Sequence, residues 1–351
     1  MLRGSGGMLQ GDGGMLQGGV FIPVAAFLLS FIVLRVLLSD GLRRRMLDRP
    51  NERSLHERPV PRTGGLAIMA GAGLALPLLQ PRFTAFIPLV AVLVGTSVLD
   101  DLRGLPAWIR LIVHLCVAGA FCLDSLQTVP PVAVVAAILA IAWMTNLYNF
   151  MDGSDGLAGG MAVIGFGAYA LGAAAHGDAG LALLCGSVAA SAAAFLLFNF
   201  APARIFMGDA GSVPLGFLAA ALGALGWAEG AWAAWFPVLV FSPFIVDATI
   251  TLLRRMARRE AVWQAHREHY YQRLVLLGLG HRGTALAEYA LMLAAAGCAL
   301  WLRNEAGSAP ASVMLLAWGL GYAGLAFAVD RRWRSFHAAR GASPPREPPE
   351  A

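Results

Sequence analysis

The sequence predicts an all-α fold, a polytopic membrane helix bundle, and three observations predict it. Of 351 residues, 58% are hydrophobic and only 13% are charged, about half the charge of an ordinary soluble domain. Apolar stretches near the roughly 20 residues that cross a bilayer as helix recur from Val20 to Val329. The positive charge is clustered: seven arginines fall in 40–62, seven in 253–282 and five after Val329.

Eleven stretches have the length and hydropathy of spans: 20–39, 64–80, 83–99, 108–124, 130–147, 158–176, 180–198, 212–229, 232–252, 283–302 and 310–329. The loops between them alternate sides. Arginine enrichment assigns 40–62, 253–282 and the C-terminus to the cytoplasm, and alternation adds 100–107, 148–157 and 199–211. The opposite loops hold only Arg82 and Arg303, with Arg3 on the N-terminal tail. An odd number of spans then places the N-terminus outside. GGMLQG occurs at Gly6–Gly11 and again at Gly13–Gly18, so 1–19 reads as a disordered, Gly-rich tail. Residues 20–329 form the membrane domain, and 330–351 a basic, Pro-rich cytoplasmic tail.

Composition excludes several chemistries. Every one of the 26 Lys-plus-Arg residues is arginine, so neither a Schiff-base lysine nor a Walker lysine exists. Cys116, Cys122, Cys185 and Cys298 lie in apolar stretches without a CxxC pair, as packing residues do. The net charge of +5 reads as loop topology, not nucleic-acid binding. Span interiors carry few ionisable residues, among them Arg35, His114 and Glu288.

Five polar clusters fall on the side assigned to the cytoplasm. In Asp100-Asp101-Leu-Arg103-Gly104 two carboxylates end a span. Adjacent helical side chains diverge by about 100°, so the pair reads either as two groups with different roles around a cation or as a helix-end cap. In Asn146-x-x-Asn149-x-x-Asp152-Gly-Ser-Asp155-Gly, polar residues recur every third position, and the glycines permit a turn. The four are then oxygen ligands of the kind Mg²⁺ prefers, or an Asx-capped surface turn. Asn199 to Ser212 contains Arg204 and Gly208-Asp209-Ala-Gly211-Ser212, a flexible loop before a span, fit for phosphate and metal or a simple N-cap. His266-Arg-Glu-His269-Tyr-Tyr-Gln-Arg supplies phosphate and sugar contacts, while the nearby Arg doublets serve equally for lipid headgroups. Ser54-Leu-His56 to Arg62-Thr-Gly64-Gly65 is a Pro-stiffened basic loop.

With the stretches DDLRGL, NLYNFMDGSDGL, NFAPARIFMGDAGS and HREHYYQRL, preceded by HERPVPRTGGLAI, the chain resembles the polyprenyl-phosphate N-acetylhexosamine-1-phosphate transferases. They run in the family's order from about Ser54 to Leu274. The resemblance implies that Asp100 and Asp101 are the catalytic pair and that Asn149 and Asp209 hold Mg²⁺, with Mn²⁺ as an alternative. It implies that Asp152, Asp155, His266 and His269 bind substrate, and the polar clusters add Asn146 and Arg204 as substrate-binding candidates. HREH replaces the three successive histidines of the muramoyl-pentapeptide branch, so the chain looks more like the enzymes that initiate O-antigen assembly. The implied partners are a UDP-N-acetylhexosamine, undecaprenyl phosphate and membrane lipid, without nucleic acid, and a homodimer is compatible with the sequence. The implied location is a bacterial inner membrane. The rival readings are the muramoyl-pentapeptide branch and a membrane transporter, which would put ionisable groups or broken helices at mid-membrane.

Overall fold

In lipid, backbone polar groups must be satisfied within the chain, and a helix does so locally. All eleven predicted stretches are helical in the computed structural model, which describes residues 19–39, 47–48, 60–261, 266–303, 305 and 307–341. The predicted tail apart from Gly19, the cluster residues Ser54 and His56, and the chain beyond Gly341 lie outside the described residues. The helices are α1 Phe21–Leu37, α2 Gly64–Ala75, α3 Phe86–Arg103, α4 Ala107–Ser125, α5 Pro131–Phe150, α6 Leu157–His176 and α7 Ala179–Asn199. They continue as α8 Asp209–Ala228, α9 Trp235–Val240, α10 Ser242–Ala257, α11 Tyr270–Leu274, α12 Gly280–Leu302 and α13 Ala309–Gly341. Two short strands, Leu47–Asp48 and Val60–Pro61, pair antiparallel.

Among the described residues, eight helices are long and apolar enough to cross a membrane, and Phe21–Leu37 and Gly64–Leu78 are shorter apolar helices. The chain is a multi-pass membrane protein. The predicted stretch 232–252 is two helices, and Pro243 is the cause. Proline lacks an N–H and clashes with the carbonyl four residues back, here that of Leu239. That carbonyl instead accepts a bond from the Ser242 hydroxyl at 2.6 Å. The same hydroxyl lies 2.7 Å from that of Tyr322 on α13. α13 runs without a break past its apolar part through the arginines at 331, 332 and 334.

The centre of the bundle is α8, whose residues from Ala210 to Ala219 are all buried. Small residues let its neighbours approach closely. A Cβ on Gly65 of α2 would stand 2.2 Å from Gly211 Cα, and one on Gly216 would stand 2.6 Å from the Met144 carbonyl of α5. These contacts bring the start of α8 against the start of α2 and the end of α5. That is the arginine-rich end of the bundle.

Candidate active site at the arginine-rich end

The site is built where α5 ends and α8 begins. α5 carries Asn146 and Asn149, and the chain then turns over Met151–Gly156. Gly156 has φ +77°, a left-handed conformation that suits glycine. Its N–H donates to Asn199 Oδ1 at 2.9 Å, while Asn199 Nδ2 donates to the Ile205 carbonyl at 3.0 Å. One buried amide therefore ties the second cluster to the third. The turn sends its two carboxylates in different directions. Asp155 accepts a bond from Ala203 N–H at 2.9 Å, and the ring of His281 lies 3.2 Å from its backbone nitrogen. Asp152 instead accepts a bond from Gly208 N–H and lies beside Asp209 and Arg62.

Asp152 is correspondingly perturbed. Burial pushes its carboxyl up to about 8, with the Arg62 guanidinium opposing and Asp209 adding to the shift. Gly208 has φ +71°, and a Cβ there would meet the Arg62 carbonyl at 2.4 Å. Phe206 N–H donates to Pro61 O at 2.7 Å, and Gly65 N–H to Met207 O at 2.8 Å. The segment around Arg62 is thus laid along the Gly-Asp loop by backbone bonds.

Asp209 opens α8. Its carboxylate accepts a bond from the Asn149 amide and sits within electrostatic reach of Arg62, Arg110 and Asp100. Asn149 Oδ1 accepts from Ser212 Oγ at 2.7 Å, which fixes which way the amide faces. Asp100 accepts from Leu105 N–H and from Arg110, both at 2.6 Å. Asp101, the next residue of α3, is exposed, as the divergence of adjacent helical side chains requires. Asn146 lies one turn deeper, its amide nitrogen 3.0 Å from His114 Nδ1 and 2.8 Å from the Ala142 carbonyl. Arg204 is exposed, donates to the Leu197 carbonyl at 3.1 Å and lies over the Phe198 ring at 4.8 Å.

The histidine segment adjoins this centre through Phe150. His269 is buried, 4% exposed, and its ring stacks against Phe150 and Tyr271 with centroids 6.4 and 5.8 Å apart. The Tyr271 hydroxyl donates to the Phe150 carbonyl at 3.1 Å. That contact requires glycine at 153, where a Cβ would stand 2.1 Å from the hydroxyl. His266 sits 4.9 Å from His269, ring to ring. Burial, then His269 and Arg255, push its imidazole down to about 4. It is therefore neutral near pH 7. Burial raises the Glu268 carboxyl, but Arg258, Arg255 and His266 outweigh it and hold the group below its ordinary value.

Four residues that sequence reasoning does not place at the site stand here. Arg62 belongs to the fifth cluster, but nothing in that loop's composition separates it from the other arginines. Arg110 lies in an apolar stretch and is located only by its bond to Asp100. Ser212 enters the sequence pattern only as the end of the Gly-Asp motif. Asp247, inside α10, accepts bonds from Tyr270 N–H at 3.0 Å and Tyr271 N–H at 2.9 Å, and lies 3.1 Å from His269 Nδ1. A lone carboxylate inside an apolar stretch is its signal.

Among the described residues, no three His, Cys, Asp or Glu side chains converge as a metal-binding group. Mg²⁺ makes a smaller demand: it commonly takes one or two carboxylates, waters and substrate phosphates. Asp209 and Asp152 are hard oxygen donors in that number, and the Asn149 amide orients the Asp209 carboxylate, so the residues present fit the ion.

The sequence pattern described as Glycosyl transferase family 4 matches residues 83–226. That range holds Asp100, Asp101, Asn149, Asp152 and Asp209, and excludes Arg62, Asp247, His266 and His269. The chain is 32% identical over 291 residues to a Bacillus subtilis (strain 168) protein named "Probable undecaprenyl-phosphate N-acetylglucosaminyl 1-phosphate transferase", covering 76% of this chain and 81% of that one. It is 27% identical over 338 residues to the undecaprenyl-phosphate alpha-N-acetylglucosaminyl 1-phosphate transferase of Yersinia pestis, covering 88% and 90%. It is 29% identical over 293 residues to a decaprenyl-phosphate N-acetylglucosaminephosphotransferase of Mycobacterium leprae (strain TN), covering 68% and 72%. With its motifs gathered at one end of the bundle, the chain belongs to glycosyl transferase family 4, among the polyprenyl-phosphate N-acetylhexosamine-1-phosphate transferases.

Proposed function

We propose that this protein transfers N-acetylhexosamine-1-phosphate from a UDP-sugar to undecaprenyl phosphate, giving undecaprenyl-diphosphate-sugar and UMP. The observation that carries the reading is the crowding of Asp152, Asn149 and Asp209, with Arg62 and Arg110 beside them, at one end of a membrane bundle. Carboxylates so close ask for a cation, and the arginines suit phosphate oxygens. An apolar cavity of about 310 Å³, lined by residues that include Ala137, Met144, Ala220, Gly223, Val238 and Phe241, suits an isoprenoid segment.

In this reaction an oxygen of the lipid phosphate forms a bond to the β-phosphorus of the donor. The bond from that phosphorus to the bridging oxygen breaks, and UMP leaves with the oxygen. A phosphate monoester has its second pKa near 6, so the nucleophile is already largely dianionic at neutral pH and needs little help from a base. Asp100 therefore acts chiefly by holding Arg110 toward the phosphates. Asp209 and Asp152, with Asn149 orienting Asp209, would hold Mg²⁺, which supplies charge neutralisation on the diphosphate and the departing phosphate. Arg62 and Arg110 add fixed positive charge where charge develops. The arginine-rich end would face the cytoplasm of a bacterial cell, where nucleotide sugar is made, and the product would start an O-antigen or related envelope polysaccharide.

The test is UMP release by purified protein with a panel of UDP-N-acetylhexosamines, N-acetylglucosamine first, with the lipid product identified by mass. UMP should appear only when both the UDP-sugar and undecaprenyl phosphate are present, and should stop in excess chelator. Release without the lipid would overturn the reading, and full activity in chelator would remove the metal from it.

A further inference from the structure

The His266–Arg273 segment lies outside the part of the chain that matches the family pattern, and it is held in place from two other helices. From α10, Asp247 receives the backbone N–H groups of Tyr270 and Tyr271 at 3.0 and 2.9 Å, and also the Thr251 hydroxyl at 3.2 Å. The same carboxylate lies 3.1 Å from His269 Nδ1. With Nδ1 engaged there, only Nε2 of that ring is left to face a ligand. From α13, Asp330 receives Arg254 at 2.6 Å on one oxygen and Arg273 at 2.8 Å on the other. Those two guanidinium groups stand over the Tyr270 ring at 5.5 and 5.3 Å. Trp333, one turn beyond Asp330, lies 5.6 Å from Arg273.

The two carboxylates thus converge on one residue. Asp247 fixes the Tyr270 backbone, and Asp330 fixes the two cations that stand over its ring. Arg273 is 8% exposed, and its other acidic neighbour, Glu268, is 3.9 Å away. Removing one partner of a buried ion pair leaves the other charge uncompensated, which is costly. The strain would pass through Tyr270 to the adjacent His269 and Tyr271, which touch Phe150 and so the turn that carries Asp152.

We propose that Asp247 and Asp330 are positioning residues for the transfer reaction, Asp247 acting through His269 and Asp330 acting through Arg273 and Tyr270. On this view the helical extension after the last apolar stretch of α13 is part of the enzyme's working frame. The proposal rests on the transfer reading above.

The experiment is steady-state UMP release by full-length, folded variants with UDP-N-acetylglucosamine and undecaprenyl phosphate. Asp247→Asn should lower kcat by about tenfold or more, as a small misplacement of reacting groups does, with KM for the UDP-sugar changed less than about threefold. Asp330→Asn should lower kcat by about three- to tenfold, and Asp330→Glu should restore most of it. Because Asp330 works through Arg273, the double variant Asp330→Asn/Arg273→Gln should lose no more than the worse single one. Unchanged kcat in Asp330→Asn, a rise in KM alone, or multiplying losses in the double variant would overturn the proposal. If Asp247→Asn does not accumulate in the membrane, the Asp330 set decides. A wild-type protein that releases no UMP overturns the transfer reading itself. Wild-type turnover matched by the variants overturns only this inference.

Discussion

At the end of the bundle away from the site, Arg82 reaches both oxygens of Asp178 at 2.7 Å and also bonds Glu229. Asp178 in addition accepts the Leu181 N–H at 3.0 Å and so caps α7. One cation there closes three connections between helices. At the arginine-rich end, Asp152 and Asp209 stand together, and burial drives Asp152 up to about 8 despite Arg62. The same residue types thus staple one end and leave unfavourable charge crowding at the other. Such crowding costs stability and survives where function requires it.

The sharpest way to break this comparison is at Asp209. Asp209→Asn keeps the size of the side chain and removes its charge, so transfer should fall by about a hundredfold or more, measured as UMP release, while the protein stays inserted. Near-normal turnover would mean that the crowded carboxylates are structural like those at the other end. Asp100→Asn should cost less, about tenfold, because the amide can still accept from Leu105 N–H but loses its charge pair with Arg110. A drop as deep as that of Asp209→Asn would instead make Asp100 a direct participant.

Much of this difference is legible in the sequence. Apolar runs locate the spanning helices, because a chain in lipid has few other ways to satisfy its backbone. The DGSDGL turn is legible from its glycines. What three-residue spacing does not contain is where each carboxylate of a turn points. Asp152 goes to Gly208 N–H and Asp155 to Ala203 N–H because Gly156 and Asn199 fix the turn's path, and that path depends on a partner 43 residues away. Arg110 and Asp247 are hidden for a related reason. Each is one ionisable residue in an apolar stretch, and its role depends on a tertiary partner, Asp100 or His269. The staple at Arg82, Asp178 and Glu229 is equally hidden, since its members lie in three separate connections.

The crowding also makes a pH signature in protein stripped of divalent cations. Asp152 moves from 3.8 unfolded to about 8 folded. Between those values the folded state holds a proton that the unfolded state has lost. Stability from this group is therefore full below pH 4 and declines as pH rises through the window toward 8. Asp152→Asn removes the slope, so thermal unfolding in chelator should show a smaller loss from pH 5 to 9 than in the wild type. Parallel pH profiles would mean that Asp152 is not buried against Asp209.

The smallest effect belongs to the other end, and it tests whether the two ends are separable. Arg82 and Glu229 are each about one-third exposed, and partly exposed pairs contribute about 1 kcal/mol or less. Arg82→Gln should therefore lower the unfolding temperature by a few degrees at most and leave kcat and KM unchanged. The reason is distance along rigid helices: the staple ties the far ends of α3, α6 and α8, while their near ends are held by separate contacts, among them Gly65 against Gly211 and Gly156 against Asn199. A fall in kcat without a fall in folded protein would show that strain does travel the length of α8 from Glu229 to Asp209. The far end would then be part of the working frame, and the division between staple and site would have to be abandoned.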